Sequence, residues 1–350
     1  MKSILVTGGC GYIGSHTVLS LVENGYYVYV LDSNINSSPS VIKRLIGILR
    51  KKDRSLINNL KFFRGDLRDE KDIEKIFKDA IRKNIYIYGV IHFAGLKSIE
   101  ESIKSPFSYW DNNVCGSINL LKIMNKFNCK TIIFSSSATI YSYAGNNKIK
   151  EDVSINPINP YGRNKSTIEL FLNDVFESDP DNWKIISLRY FNPIGAHNSG
   201  QLGENPIGVK NIFPLILKVA SNKIEKLKIF GNDWNTKDGT CVRDYIHIMD
   251  LANGHIQALN YLKTNPAQIL KLNIGTGSGS TVLELIKTFE KVNKIKIPYS
   301  FVARRKGDRE YVVADNSKLL ETLNWIPTRS IEDMCRDGWN WHLSYPNGFD

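Results

Sequence analysis

Strand-like runs alternate with helically spaced segments through the first 190 or so residues, which predicts an α/β chain built on a doubly wound parallel sheet. Two further observations carry that expectation. A glycine-rich turn joins the first strand to the first helix, and an acidic residue closes the second strand.

The apolar run Ile4-Leu5-Val6 predicts the first strand, and the spacing of Ile13, Val18, Leu19 and Val22 the first helix. Between them stands Thr7-Gly8-Gly9-Cys10-Gly11-Tyr12-Ile13-Gly14. Here Gly8 permits a tight turn, Gly11 lets backbone approach a pyrophosphate, and Gly14 lets the helix sit close to its strand. The helix N-terminus then offers free N–H groups to the anion. Asp32 ends the second strand, Tyr27-Val28-Tyr29-Val30-Leu31, where a carboxylate accepts from ribose hydroxyls and repels the extra phosphate of NADP. The expectation is a Rossmann-type fold that takes NAD. A short helix over 42–49 precedes a third strand at 60–63, and strands at 89–93, 131–134 and 184–190 continue the sheet. Helical periodicity fills 69–83, 106–127 and 159–176.

After Asn192 the alternation breaks down, and Gly, Asn and Pro become frequent through 195–206. Residues 1–192 read as the nucleotide-binding domain. Residues 193–350 read mainly as a smaller mixed α/β substrate-binding lobe over the sheet's carboxyl edge. The chain is expected to cross back to the sheet within 230–280, at Leu272-Asn273-Ile274-Gly275.

A length of 350 residues suits this plan, and 42% hydrophobic content is ordinary for a soluble globular protein. The net charge of +11 comes from lysines scattered among Asn and Ile with no long basic tract, so no nucleic-acid partner is expected. Five cysteines, odd in number and widely separated, form neither a zinc spacing nor a disulfide framework. The N-terminus enters a strand almost at once, leaving no room for a targeting peptide, and no apolar run approaches a membrane span. The working expectation is a soluble cytoplasmic enzyme with no metal and no membrane partner.

Tyr161-Gly162-Arg163-Asn164-Lys165 places a tyrosine and a lysine on one face of a helix. The ammonium favours the phenolate, lowering a pKa that is about 10 in the free side chain. Such a phenol can take a hydroxyl proton while the adjacent carbon is oxidised. A pair of this spacing also occurs on ordinary helix surfaces; its place after a nucleotide-binding half selects the chemical reading. Phe134-Ser135-Ser136-Ser137-Ala138-Thr139 ends a strand at the ligand edge. Its hydroxyls can hold a reacting oxygen, or the run is a serine-rich turn.

Together these motifs resemble the extended short-chain dehydrogenases/reductases, and among them the UDP-glucose (UDP-galactose) 4-epimerases. The resemblance runs nearly end to end. It takes in Gly65-Asp66-Leu67-Arg68, Phe93-Ala94-Gly95-Leu96-Lys97, Arg189-Tyr190-Phe191-Asn192-Pro193 and Phe230-Gly231-Asn232-Asp233. It continues through Val242-Arg243-Asp244-Tyr245-Ile246-His247 and Arg304-Arg305-Lys306-Gly307-Asp308. It implies NAD-dependent inversion at carbon 4 of a UDP-sugar through a transient 4-keto sugar. Tyr161 would be the proton acceptor, Ser137 would bond the 4-oxygen with Thr139 assisting, and Lys165 would tune Tyr161 and bind the nicotinamide ribose. The cofactor would lie against Gly8, Gly11, Tyr12, Ile13, Gly14 and Asp32. Asp66 and Leu67 would meet the adenine, Phe93, Ala94 and Lys97 would line the pocket, and Asn112 would sit near the nicotinamide ribose. The substrate would meet Lys97, Ser137 and Tyr161, with its UDP held by Asn192, Asn211, Phe230, Arg243, Arg305 and Asp308. By the same resemblance Val312, four beyond Asp308, sets the room around the sugar's 2-substituent. A small residue there implies tolerance of UDP-N-acetylglucosamine and UDP-N-acetylgalactosamine; a one-residue shift would put Tyr311 there instead. His16 and His247 are expected to be packing residues. The helices at 106–127 and 159–176 would pair with their copies in a homodimer, or simply pack on the sheet. The rival readings are a dehydratase or decarboxylase of the same fold and a non-catalytic NAD sensor. A dehydratase needs an acidic pair after the hydroxyl-bearing residue, where this chain has Ile140-Tyr141.

Overall fold

The computed structural model describes residues 3–142, 145–205, 208, 211–305 and 307–349; Pro206 and Lys306, which the sequence reading included, lie outside them. The chain forms two compact units. The first comprises Met1–Ser142, Ser154–Arg189 and Ala252–Leu272, and the second Tyr143–Val153, Tyr190–Leu251 and Asn273–Asp350.

The first unit opens with β1 (Ser3–Thr7), α1 (Tyr12–Glu23), β2 (Tyr27–Asp32), α2 (Ser40–Lys52), β3 (Leu60–Arg64), α3 (Glu70–Arg82) and β4 (Ile87–His92). Every residue of β1 and β2 is buried, as strands covered on both faces require. Asp69 starts α3 by accepting from the Lys71 N–H, with Glu70 and Asp72 in the first turn where the dipole favours them. Next come α4 (Ile99–Lys104), α5 (Pro106–Tyr109), α6 (Gly116–Lys126), β5 (Thr131–Ser137), α7 (Pro160–Ser178) and β6 (Lys184–Tyr190). Proline at the first position of α7 and Asn159 accepting from the Gly162 N–H fix where that helix begins.

Two local differences from the sequence reading bear on the site. The helix expected over 106–127 is interrupted by a wide π-type turn at Trp110–Cys115. Ser117 Oγ donates to Asn113 O at 2.5 Å, giving a side-chain partner to a carbonyl in the widened stretch. β5 runs on through Ser137 rather than stopping at 134, so the three serines belong to a buried strand and not to a turn.

The chain continues with β7 (Asn192–Ile194), α8 (Ile212–Ala220), β8 (Leu227–Phe230), β9 (Val242–Arg243), β10 (Tyr245–His247), α9 (Ile248–Thr264) and β11 (Gln268–Ile274). It ends with β12 (Ser280–Thr281), α10 (Val282–Asn293), β13 (Tyr299–Val302), β14 (Tyr311–Val312), α11 (Ser317–Leu323) and α12 (Ile331–Ser344). Seven strands form one parallel sheet in the order β11-β6-β5-β4-β1-β2-β3. The order reverses between β1 and β4, whose registers place Thr7 opposite both Leu31 and His92. In such sheets ligands bind beyond the carboxyl ends of the strands at this reversal. The crossing back expected at 272–275 is β11, already formed from Gln268.

The second unit has its own core, in which Phe213, Ile216 and Ile229 pack with Leu285, Phe289 and Trp339. The buried Asp244 carboxylate ties its short strands together, accepting from the N–H groups of Thr276, Gly277 and Ala314 and from the Thr276 hydroxyl. Among the described residues no helix is long and apolar enough to cross a membrane.

Candidate active site

At the carboxyl end of β1 the turn is compressed enough to demand its glycines. Gly8 has φ +69°, and a Cβ there would lie 2.6 Å from Ala94 N; one on Gly14 would lie 2.2 Å from the Gly8 carbonyl. Gly11 begins α1 with no side-chain cap and no acid in the first turn, so the N–H groups of Tyr12, Ile13 and Gly14 face an anion-ready end. Asp32 is buried, with Oδ1 accepting from Asn34 N (2.9 Å) and Ser37 Oγ (2.8 Å) and Oδ2 from Cys10 N (2.8 Å). A carboxylate offers about four acceptor positions. Protein donors take three, which leaves direct capacity for one ribose hydroxyl rather than both. The neighbouring Asn34 Oδ1 is a buried acceptor without a partner, which suits a second hydroxyl. These features fit an adenine dinucleotide lacking a 2′-phosphate.

The other residues expected to line the cofactor are spread along the adjoining strand ends. Asp66 is held by Arg68 at 2.7 Å, and Leu67 is buried. The Phe93 ring lies against His255, tilted by 52° with centroids 4.8 Å apart, Ala94 N approaches Thr7 Oγ1 at 3.5 Å, and Lys97 is exposed. Asn112 Nδ2 donates to Ser108 O. It is Asn113, not singled out in the sequence, that fastens the loop after β4: its Oδ1 accepts from Leu96 N at 2.7 Å and its Nδ2 donates to Leu96 O at 3.0 Å. Asn113 is one of the two buried residues of the π-type turn.

The chemical residues gather at the end of β5 and the start of α7. Thr139 Oγ1 donates to Ser137 Oγ at 3.0 Å, and the Ser137 hydroxyl lies close enough to the Tyr161 phenol to favour its ionised form. Lys165 Nζ donates to Ser135 O at 2.6 Å and lies 5.9 Å from the Tyr161 ring centre. Gly162 lets the helix start press on this turn, since a Cβ there would meet Thr139 O at 2.9 Å. The electrostatics differ from the sequence expectation. Burial pushes the Tyr161 phenol up to about 12, with the Ser137 hydrogen bond pulling the other way, and burial draws Lys165 down to about 8. Burial therefore dominates at the phenol and opposes the phenolate that the Tyr161–Lys165 spacing predicts. His92, bonded to Thr7 Oγ1 and Ser117 Oγ, is held neutral by burial and by Lys165, its pKa drawn down to about 3.

In the second unit, Arg243, Arg305, Asp308 and Phe230 form one cluster. Arg305 Nη2 bonds Asp308 at 2.8 Å, Arg243 Nη2 stands 3.9 Å from the same carboxylate, and the Arg305 guanidinium lies 5.3 Å from the Phe230 ring centre. Arg243 does not pair with Asp244; its Nη1 donates instead to the carbonyls of Val242 and Arg309. Two guanidiniums around one carboxylate leave surplus donors for an anion. Asn192 N bonds Asp244 O, which seats β7 beside this cluster, and Val312 pairs with Arg243 across β14 and β9. Asn211 precedes α8 with a side chain that caps nothing. His16 and His247 are packing residues, as expected: both are buried, the first on Tyr12 O and the second on Asp337.

The family model for GDP-mannose 4,6 dehydratase matches residues 5–338. The chain is 47% identical over 350 residues to UDP-glucose 4-epimerase 2 of Arabidopsis thaliana, covering 100% of this chain and 97% of the relative. It is 45% identical to the UDP-glucose 4-epimerase of Dictyostelium discoideum, with 99% and 97% covered. Its fold superposes on the UDP-glucose 4-epimerase of Stenotrophomonas maltophila, solved with NAD and formylated UDP-arabinopyranose, with TM-score 0.92, 39% identity and 98% of each chain covered. The enzyme of Bifidobacterium longum, solved with NAD+ and UDP, gives 0.89 at 42% identity and 99% of each chain. A dehydratase, a decarboxylase or a non-catalytic sensor is not favoured by these relatives. The chain belongs to the extended short-chain dehydrogenase/reductase family and, within it, to the NAD-dependent UDP-glucose 4-epimerases.

Proposed function

We propose that this enzyme interconverts UDP-galactose and UDP-glucose with Tyr161 as its proton-transfer residue and the Arg243 cluster as its diphosphate anchor. NAD, when bound, supplies the reversible two-electron acceptor that turns sugar carbon 4 into a carbonyl and back, and its oxidised ring adds the positive charge that the protein groups around Tyr161 lack. Tyr161 takes the 4-hydroxyl proton and later returns it to the 4-oxygen, once the keto sugar has turned over and carbon 4 regains its hydride on the opposite face. Ser137, steadied by Thr139, holds the 4-oxygen, and Lys165 orients the phenol and the nicotinamide ribose. Arg243, Arg305 and Asn192 grip the UDP, so binding energy resides in the nucleotide and the sugar is free to turn over. The Tyr161–Lys165 pair on α7, with the ammonium anchored on Ser135 O at the end of β5 and 5.9 Å from the phenol ring centre, is the observation that carries this reading. Conversion of UDP-galactose to UDP-glucose by purified protein with no NAD added tests it. Activity establishes epimerisation with a retained cofactor; inactivity even with NAD added overturns it.

Val312 is read as the residue beside the sugar's 2-substituent, which extends the substrates to UDP-N-acetylglucosamine and UDP-N-acetylgalactosamine. The strand register supports Val312 over Tyr311. Val312 pairs with Arg243, whereas Tyr311 pairs with Val242 on the alternate face, towards Gly279. We also read the enzyme as a cytoplasmic homodimer. The cysteines Cys10, Cys115, Cys129, Cys241 and Cys335 are all free thiols. Phe107 (89% exposed) and Leu170 (64%) stand with exposed Ile99, Ile103 and Trp110 on helices of the first unit.

A further inference from the structure

Glu169 lies one helical turn beyond Lys165 and two beyond Tyr161 on α7, and is only 2% exposed. Its Oε2 accepts from Arg189 Nη2 at 2.6 Å, and its Oε1 from Arg189 Nε at 3.0 Å and from Ser136 Oγ at 2.5 Å. Arg189, on β6 and 1% exposed, continues to the Tyr141 hydroxyl at 2.8 Å. A buried ion pair is weak support for stability, because the cost of desolvating two charges offsets their attraction and an apolar pair packs as well. Its neighbours give it another purpose. Lys165 is 4% exposed, anchored on Ser135 O and lying 4.8 Å from the Phe134 ring centre. The charged and titratable groups around it are Tyr161 and Glu169 on its own helix, His92 on β4, and Arg189 on β6 beyond Glu169. Burial favours loss of the Lys165 proton, and the Glu169 charge opposes that loss.

We propose that Glu169, clamped by Arg189 and Ser136 one helical turn beyond Lys165, is a positioning residue that keeps Lys165 cationic beside the phenol. Lys165, Glu169 and Arg189 then form a buried line of charged groups that runs from the half-buried Tyr161 to β6. Arg189 fixes the carboxylate and moderates its charge, so that Lys165 is held as a cation without becoming locked to Glu169. This deepens the assignment of Tyr161 and Lys165 made above and rests on it.

The test is the protonation of Lys165 itself, followed by carbon NMR of protein carrying ε-13C lysine, with the resonance identified by its loss in Lys165→Arg. In Glu169→Gln the Lys165 midpoint is expected to fall by about one pH unit, a tenfold change in proton affinity. The alkaline limb of kcat should fall with it, while KM for UDP-galactose changes less than twofold. Glu169→Asp, which keeps the charge, should restore most of the midpoint. If Glu169→Gln does not fold, because Arg189 is left buried with a weakened partner, Glu169→Gln/Arg189→Met removes both charges and should show a smaller fall in the same direction. A folded variant whose Lys165 midpoint stays within about 0.3 units of wild type, a margin small against an ordinary environmental shift, overturns the inference. Failure of the underlying assignment reads differently: Tyr161→Phe would then retain full activity.

Discussion

Replacing Tyr161 by Phe removes one oxygen and leaves the ring, so it isolates proton transfer from packing. A positioned acid/base contributes roughly 10²–10⁴-fold, and kcat is expected to fall by about that factor with KM for UDP-galactose little changed, as steady-state kinetics would register. Val312→Tyr is expected to abolish turnover of UDP-N-acetylglucosamine while retaining at least about a third of the UDP-galactose rate, since loss of room acts on the larger sugar first. Equal loss on both sugars would show that Val312 does not set that room. The Tyr161–Lys165 pair was legible from its spacing on one helix face, whereas Ser137 was singled out by the family resemblance. Asn113 and Glu169 were legible in neither way. Each acts through a partner far along the chain, Leu96 for one and Arg189 for the other, and local patterns do not encode such pairings. The phenol's raised pKa escaped for a related reason, because burial is set by the fold and not by the neighbour four residues on.

The glycine turn tests how far one element depends on close approach. Gly14→Ala would drive a methyl to 2.2 Å from the Gly8 carbonyl, backbone that cannot yield without moving α1 off β1. The expected outcome is a folded protein with a lower melting temperature that emerges from gel filtration without NAD, read from absorbance of the released nucleotide. Retention equal to wild type would mean that the turn relaxes more cheaply than its geometry implies. Strands and helices of the first unit could be read from hydrophobic runs and periodicity, since each of those elements buries a face against the same sheet. The second unit was much less legible. Its strands β7, β9, β10, β12 and β14 are two or three residues long, too short for a period to show. They are held by the Asp244 carboxylate and by pairings between distant segments, such as β14 on β9. Burial gives Asp244 to three backbone N–H groups, a role no local pattern around it shows.

Across the whole molecule, buried neutral histidines make stability depend on pH. His92 is drawn down to about 3 and His342 to about 4, in each case chiefly by burial, against an ordinary value of about 6.5. A folded-state value below the unfolded one contributes stability that is complete above about pH 6.5 and is lost as pH falls toward the folded values, because the unfolded chain takes up protons the folded chain refuses. Melting temperature is therefore expected to drop steadily from pH 6.5 to 4.5, a window above most carboxylate titration, and His92→Gln/His342→Gln should flatten that slope in scanning calorimetry. The exposed apolar surface of the first unit carries the remaining prediction. Phe107, Ile103 and Leu170 are large, exposed and borne on α5, α4 and α7, and a monomer rarely leaves such side chains together in water. In a two-fold dimer each residue acts twice, so a charge placed at either position is buried twice in one interface. Phe107→Glu/Leu170→Glu is accordingly expected to sediment as a monomer where wild type sediments as a dimer. Because the chemical residues of the first unit all come from one chain, the monomer should keep measurable epimerase activity at low temperature and lose it on warming. Wild type sedimenting as a monomer at micromolar concentration would remove the interface, and these apolar side chains would then need another partner.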